Sequence, residues 1–194
     1  YVIFRDCDCR LNYREKECVD EWIKSEKNFH TMFDNARFTH YFLAGCWGVR
    51  GGVIEKIGEI IEYYKDTLKK RPWYNMYGKN KKGEPVFGYG VDQLFLEIFI
   101  YNIAENSLCR HDESSLDPIT NELIFSEFPS ERKPLDTYVG ESFDEFDKPV
   151  NPEHRLFARG TPNYKLFREF AVSPSDKIED IKKPTKNSGN FYRY

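Results

Sequence analysis

The 194-residue sequence predicts an α/β fold, on three observations. Short runs of aromatic and β-branched residues alternate with segments of helical periodicity. The first run, Tyr1-Val2-Ile3-Phe4, is continuously apolar, as in a buried strand. It leads straight into Arg5-Asp6-Cys7-Asp8-Cys9-Arg10, and ligands in α/β folds gather beyond the carboxyl ends of strands.

The elements follow in order. Residues 13–27, YREKECVDEWIKSEK, set Cys18, Val19, Trp22 and Ile23 on one face of a short amphipathic helix. Two extended pieces follow, FHTMF (29–33) and THYFLAGCWG (39–48), parted by Asp34-Asn35-Ala36-Arg37, which has turn chemistry. The clearest helix spans residues 51–70, with an apolar stripe of Val53, Ile54, Ile57, Ile60, Ile61, Tyr64 and Leu68. A basic loop rich in Gly and aromatics comes next. Its charges from Lys65 to Lys82 read either as a flap over a ligand or as a solvated surface. Residues 91–106 are apolar nearly all round, as in a buried helix, and SLCRH (107–111) is a short strand. From Asp112 onward acidic and Pro-rich stretches dominate. Residues 151–194 read as an extension or flexible tail.

Composition excludes several classes. A net charge of −3 provides no basic field to recruit nucleic acid or an anionic membrane. No apolar run reaches the roughly 18 residues of a membrane span, so no integral membrane segment is expected. Five cysteines, an odd number without C-x-x-C spacing, indicate neither a disulfide framework nor a zinc site. Reduced, buried thiols in a cytoplasmic setting are expected, with Cys7 and Cys9 on the strand face opposite the aspartates.

Asp6 and Asp8 carry the chemistry. Two residues apart on a strand, they project to the same side, where their charges repel. A divalent cation between them is the favoured compensation, and carboxylate oxygens suit Mn²⁺ or Mg²⁺. Gly45, Trp47 and Gly48 suggest backbone close to a ligand and an aromatic face on which a ligand ring could stack, with a core Trp as the alternative. Arg10 is the best placed of Arg5, Arg10 and Arg50 to grip phosphate. Asp92 caps the helix that starts in GYGVDQLF or faces a substrate there; Asp34 is a turn residue or a second candidate base.

Taken together, RDCDCRL, REKECVDEW, HTMFD, LAGCWGVRGG and YGVDQLFL, followed by HDE, FPSERK and YVGESFDEFDKP, resemble one family in order. The chain resembles the GT-A class of nucleotide-sugar glycosyltransferases. It is most similar to a bacterial and large-virus glycosyltransferase-like group with an R-D-x-D-S-R motif, in which Cys9, Cys18 and Cys46 replace Ser, Ala and Met. The resemblance covers about residues 1–150. It implies the C-terminal portion of a GT-A-like (Rossmann-related) catalytic domain, a mixed sheet flanked by helices and truncated at its N-terminus. Base and ribose recognition then falls to no residue of this chain.

The same resemblance implies an enzyme, hexosyltransferase-like, that moves a sugar from a nucleotide-sugar donor to a hydroxyl of a carbohydrate acceptor. Asp6 and Asp8 would be the metal ligands. His111 would complete the metal site or serve as a structural histidine. Asp92 would be the general base, in competition with Asp34, and Gln93 would orient the sugar. Two rivals stand beside it. A haloacid-dehalogenase-type phosphatase would use Asp6 as nucleophile, but its usual D-x-D-G-T continuation is replaced here by Asp6-Cys7-Asp8-Cys9-Arg10. A non-catalytic carbohydrate-binding or scaffold domain would keep the fold without turnover.

Overall fold

The computed structural model describes residues 1–35, 40–69, 77–79, 81–82, 85–88, 90–113, 115, 125–133 and 135–157. In chain order the elements are β1 (Val2–Arg5), α1 (Tyr13–Lys24), β2 (Phe29–Phe33), β3 (Cys46–Val49), α2 (Ile57–Lys69), β4 (Tyr77–Lys79) and β5 (Pro85–Phe87). Next, α3 (Val91–Phe95) runs through a π-helical stretch, Leu96–Ile100, into α4 (Tyr101–Ala104). A 3₁₀ turn, Glu105–Ser107, then leads into β6 (Leu108–Asp112).

Four strands form a mixed sheet in the order β1-β3-β2-β6, while β4 and β5 form a separate antiparallel pair. The strand β3 runs antiparallel to both β1 and β2, and β2 runs parallel to β6. Hence β1, β2 and β6 point the same way and end at one edge of the sheet. Segment 125–128 extends the sheet beyond β6, with Asp112 N donating to Ser126 O (3.0 Å) and Ser126 N donating to Arg110 O (3.1 Å).

Each face of the sheet is covered by its own helices. On one side α1 is capped by Asn12, whose side chain accepts from Glu15 N at 2.8 Å. Its Cys18 packs with Met32, Cys46, Phe128 and Val139, and Trp22 stacks on the His30 ring at 5.2 Å. On the other side Phe29, Trp47 and Val49 meet Phe42, Leu96, Ile100 and Ala104. There α2 adds Tyr64 and Leu68 against Leu94, with the Tyr64 hydroxyl donating to Val91 O. The central strands β2 and β3 are therefore buried on both faces, which their apolar sequences permit.

Several expectations need correction. The run Tyr1–Phe4 forms an edge strand rather than a buried one, each of its residues being 41–54% exposed. The extended piece expected over 39–48 is not one strand: among its described residues, β3 begins only at Cys46. The helix expected from residue 51 starts at Ile57, after turns at Gly52 and Lys56 with φ of 83° and 55°. Its apolar stripe is only partly used, since Ile57 and Ile61 stay exposed while Tyr64 and Leu68 are buried. The helical region from Val91 buries one side and leaves Ile98 and Ile103 exposed. The basic loop expected after the second helix falls in part, and the tail from residue 158 wholly, outside the described residues. Contacts cross position 150: Asn35 Nδ2 donates to His154 O, and Arg155 Nε donates to Glu141.

Gly48 sets the distance between α1 and the sheet. A Cβ there would lie 2.8 Å from the Trp22 ring and 3.1 Å from Val2 O, and Trp22 is fully buried. Gly48→Ala should therefore destabilise the fold by about 1–3 kcal/mol in chemical denaturation. Gly51→Ala, where a Cβ meets nothing within 4 Å, should leave stability nearly unchanged. Equal stability of the two variants would refute this account of the α1 packing.

Candidate functional site

Because three strands end at one edge, their following residues collect there: Asp6 after β1, Asp34 after β2, and Asp112 as the last residue of β6. Asp34 and Asp112 are buried. Asp6 is the open one.

The strand β1 stops at Arg5, so Asp6 and Asp8 are not on a strand, and alternation is not what joins them. A turn does, closed by Cys9 N donating to Asp6 O at 3.2 Å. The turn brings an oxygen of each carboxylate and the Cys9 Sγ within 4.8 Å of one another. Cys9 thus lies with the aspartates, and Cys7 is exposed, contrary to the expectation that both thiols pack behind the strand.

Gly45 permits this arrangement. It has a φ of 75°, and a Cβ on it would sit 2.2 Å from an Asp6 carboxylate oxygen. Partial burial raises the Asp6 pKa, and the charges of Asp8 and Asp92 raise it further, against a lowering by Arg5. The charge of Asp92, in the first turn of α3, thus acts on Asp6, while the ligand atoms that lie within 4.8 Å of one another are those of Asp6, Asp8 and Cys9. The Arg5 guanidinium cannot neutralise the group by itself. It is ion-paired with Glu15 at 2.8 Å and donates to Gly45 O and Cys46 Sγ. Partial burial pushes the Cys9 thiol up to about 11, Asp8 and Asp6 adding to the effect of burial, so it stays protonated at neutral pH. What remains is a cluster of hard oxygen donors with excess negative charge, a donor set that fits Mg²⁺ or Mn²⁺.

Two supports hold the site. Gln93 accepts from Ala44 N at 2.9 Å and donates to Phe42 O at 2.5 Å and Glu97 at 3.2 Å. Its amide thus clamps the loop before Gly45 and is not turned toward a sugar. On the far side, Phe143 N donates to Asp8 O at 2.8 Å, and Cys9 bridges to Ser142. Arg10 is ion-paired with Asp147 and lies 5.4 Å from the centre of the Phe143 ring. The arginine expected to grip phosphate therefore fastens this strap.

Asp34 is a structural hub. Its side chain is fully buried, with Arg14 at 3.1 Å, Arg132 at 3.3 Å and Val139 N donating to it at 3.0 Å. Arg132 also donates to Asp34 O at 2.9 Å. Burial pushes the carboxyl up to about 6 against the pull of Arg132 and Arg14. A carboxylate so enclosed has no path to an acceptor hydroxyl.

His111 is likewise elsewhere. It lies on β6, three strands from β1 in the sheet order, about 14 Å at ordinary strand spacing. Its side chain faces α1, where its Nδ1 is 3.0 Å from His30 Nε2 and its Nε2 is 3.0 Å from Glu21. Trp47 is a core residue, stacked on Phe4 at 4.2 Å and set edge-on to Phe42, so its ring is not open for stacking on a sugar. Gly48 serves Trp22 rather than a ligand. An open hollow of about 400 Å³ beside α2, lined by Glu55, Lys56, Glu59 and Phe99 among others, contains none of these groups.

Sequence reasoning did not anticipate His30 and Cys109, which stand beside His111. Cys-x-His on a strand places both side chains on one face, but the pairing of His30 with Cys109 is a matter of strand register. No protein-family model, curated protein or solved structure matches this chain.

Two outcomes are expected. In metal-free protein, Asp92→Asn should lower the Asp6 carboxyl pKa in an NMR titration, because one repelling charge is removed. An unmoved Asp6 titration would separate α3 from the aspartate pair. Asp34→Ala should cost about 3–5 kcal/mol, since it leaves two arginines buried beside an empty position. A loss below about 1 kcal/mol would show that Asp34 is not the hub.

Proposed function

We propose that this chain carries out metal-dependent transfer of a sugar from a nucleotide-sugar donor to a hydroxyl of a carbohydrate acceptor. The observation that carries the reading is the grouping of the Asp6 and Asp8 carboxylates in the turn that follows β1, at the edge where β1, β2 and β6 end. The donor class comes from the resemblance of the ordered motifs to GT-A glycosyltransferases. Asp6 and Asp8 would hold Mn²⁺ or Mg²⁺. Such an ion, when bound, offsets charge on the departing diphosphate.

The residues divide the remaining work. Asp92 is exposed at the start of α3 and accepts the proton of the acceptor hydroxyl. Gly45 lets the Asp6 carboxylate sit against the β3 backbone, and Gln93 keeps that loop in place. The turn bearing Asp8 is held from behind by Phe143. The five cysteines are free thiols, in keeping with a reducing, cytoplasmic setting. No helix among the described residues is long and apolar enough to cross a membrane.

The test is a screen of nucleotide-sugars for binding and turnover, with and without Mn²⁺. Asp6→Asn and Asp8→Asn should each weaken Mn²⁺-dependent donor binding at least about tenfold, as expected when a hard-cation site loses a charged ligand. Asp92→Asn should lower turnover by about 10²-fold while donor affinity holds. Metal-dependent binding that is unchanged in both Asp6 and Asp8 variants would overturn the metal assignment. Binding without turnover for any donor and acceptor pair would point to a carbohydrate-binding domain instead.

A further inference from the structure

On the α1 side of the sheet lies a second group of ligating side chains, separate from the aspartates. One ring nitrogen of His30, one of His111 and the Sγ of Cys109 lie within 4.8 Å of one another. His30 and Cys109 are direct register partners on the parallel strands β2 and β6, and His111 follows Cys109 on the same face. From these residues we propose a zinc site formed by His30, Cys109 and His111.

The hydrogen bonding around the group favours a metal. Glu21 can only accept, so the His111 Nε2 at 3.0 Å from it carries the hydrogen. In neutral His111 the lone pair is then on Nδ1, and it points at His30 Nε2, 3.0 Å away. A carboxylate that orients a histidine in this way is the usual outer shell of a zinc ligand. His30 is fully buried and its ring is pinned flat against Trp22; binding through Nε2 would put its hydrogen on Nδ1, which has no hydrogen-bond partner, a cost the metal bonds must exceed.

The geometry is close to what zinc requires. Two nitrogens bound at about 2.0–2.1 Å in a tetrahedron are roughly 3.3–3.4 Å apart, so the two rings must separate by a few tenths of an ångström and turn by about 35° until both lone pairs meet at the ion. Two imidazoles and a thiolate are ligands of borderline softness, which suits Zn²⁺ rather than Mg²⁺ or Mn²⁺. Charge balances as well. The Cys109 thiol releases its proton on binding, and in His30 the proton passes from Nε2 to Nδ1. The thiolate and the Glu21 carboxylate then offset the two charges of the ion. Cys109 is partly exposed and the Glu21 side chain is 51% exposed, which provides a path of entry. Three protein ligands leave a fourth position open. The site would tie β2 to β6 beneath α1.

The test uses the 194-residue chain, reduced and stripped of metal, titrated with Co²⁺ and then Zn²⁺. A single equivalent of Co²⁺ should produce the near-ultraviolet thiolate-to-cobalt band together with intense tetrahedral visible bands, both abolished by Zn²⁺. Cys109→Ser lies at a partly exposed position and should fold. It should lose the thiolate band and weaken Zn²⁺ binding on the order of 100-fold, and His111→Gln should do the same if circular dichroism shows it folded. Glu21→Gln should weaken binding about tenfold, as for an outer-shell partner. The double variant Asp6→Asn/Asp8→Asn should leave the cobalt spectrum unchanged, which keeps this site distinguishable from the proposed donor site. Absence of the bands in the unaltered chain would overturn the proposal. So would bands that survive Cys109→Ser and vanish in Cys9→Ser.

Discussion

The structure depends on the buried carboxylate of Asp34 and the two arginines that face it. A lone ionised carboxylate in this position would be untenable, and a lone buried arginine no better. Together they join three parts of the chain distant in sequence: Arg14 from α1, Asp34 from the end of β2, and Arg132 with Val139 from the later loop. Arg14 adds an ion pair to Glu113 and lies over the Phe128 ring, which draws the segments after β6 into the same joint. From Val139 the chain runs only four residues to Phe143, whose N–H holds the carbonyl of Asp8. The shape of the aspartate turn thus rests on a carboxylate that the turn itself never contacts.

The sheet divides the chemistry between its faces. Along β1, Phe4 stacks on Trp47 toward the α3 side and Arg5 reaches Glu15 toward α1, while beyond the strand the Asp6 carboxylate lies against Gly45. Beside that ion pair, the α1 face holds His30, Cys109 and His111, with the Trp22 ring stacked on His30. Burial, and secondarily His111, drives the His30 pKa down to about 3, while burial lowers that of His111 against the opposing pull of Glu21. The open edge on the other side collects hard oxygens whose charges reinforce one another. A single four-stranded sheet therefore separates a buried His and Cys group from an exposed pair of carboxylates.

Glycine and the helix start solve a spacing problem between them. Gly45 admits the Asp6 carboxylate at a distance that any Cβ would forbid. The Gln93 amide then satisfies the carbonyl of Phe42 and the N–H of Ala44, so that this tight approach leaves those two backbone groups partnered. Immediately beyond, the helix widens into the π-helical stretch Leu96–Ile100, where Leu96 and Ile100 face the core.

By itself the sequence determined the α/β class, the helix carrying Cys18 and Trp22, the extended segment FHTMF, the short strand around Cys109 and the placement of Asp6 and Asp8 at the end of an apolar run. Those are matters of local periodicity and of charge placed at the end of an apolar run, which neighbouring residues decide. Tertiary structure alone decided that β1 is an edge, that a turn rather than strand alternation gathers the aspartates, and that Arg10, Asp34 and Gln93 are supports. It also decided that His111 belongs with His30 and Cys109. The physical reason is that strand order, register and the partners of a buried charge are set by residues far apart in the chain, as Asp34 and Val139 are. The spacing of side chains along a single segment carries no information about which distant segment will lie beside it.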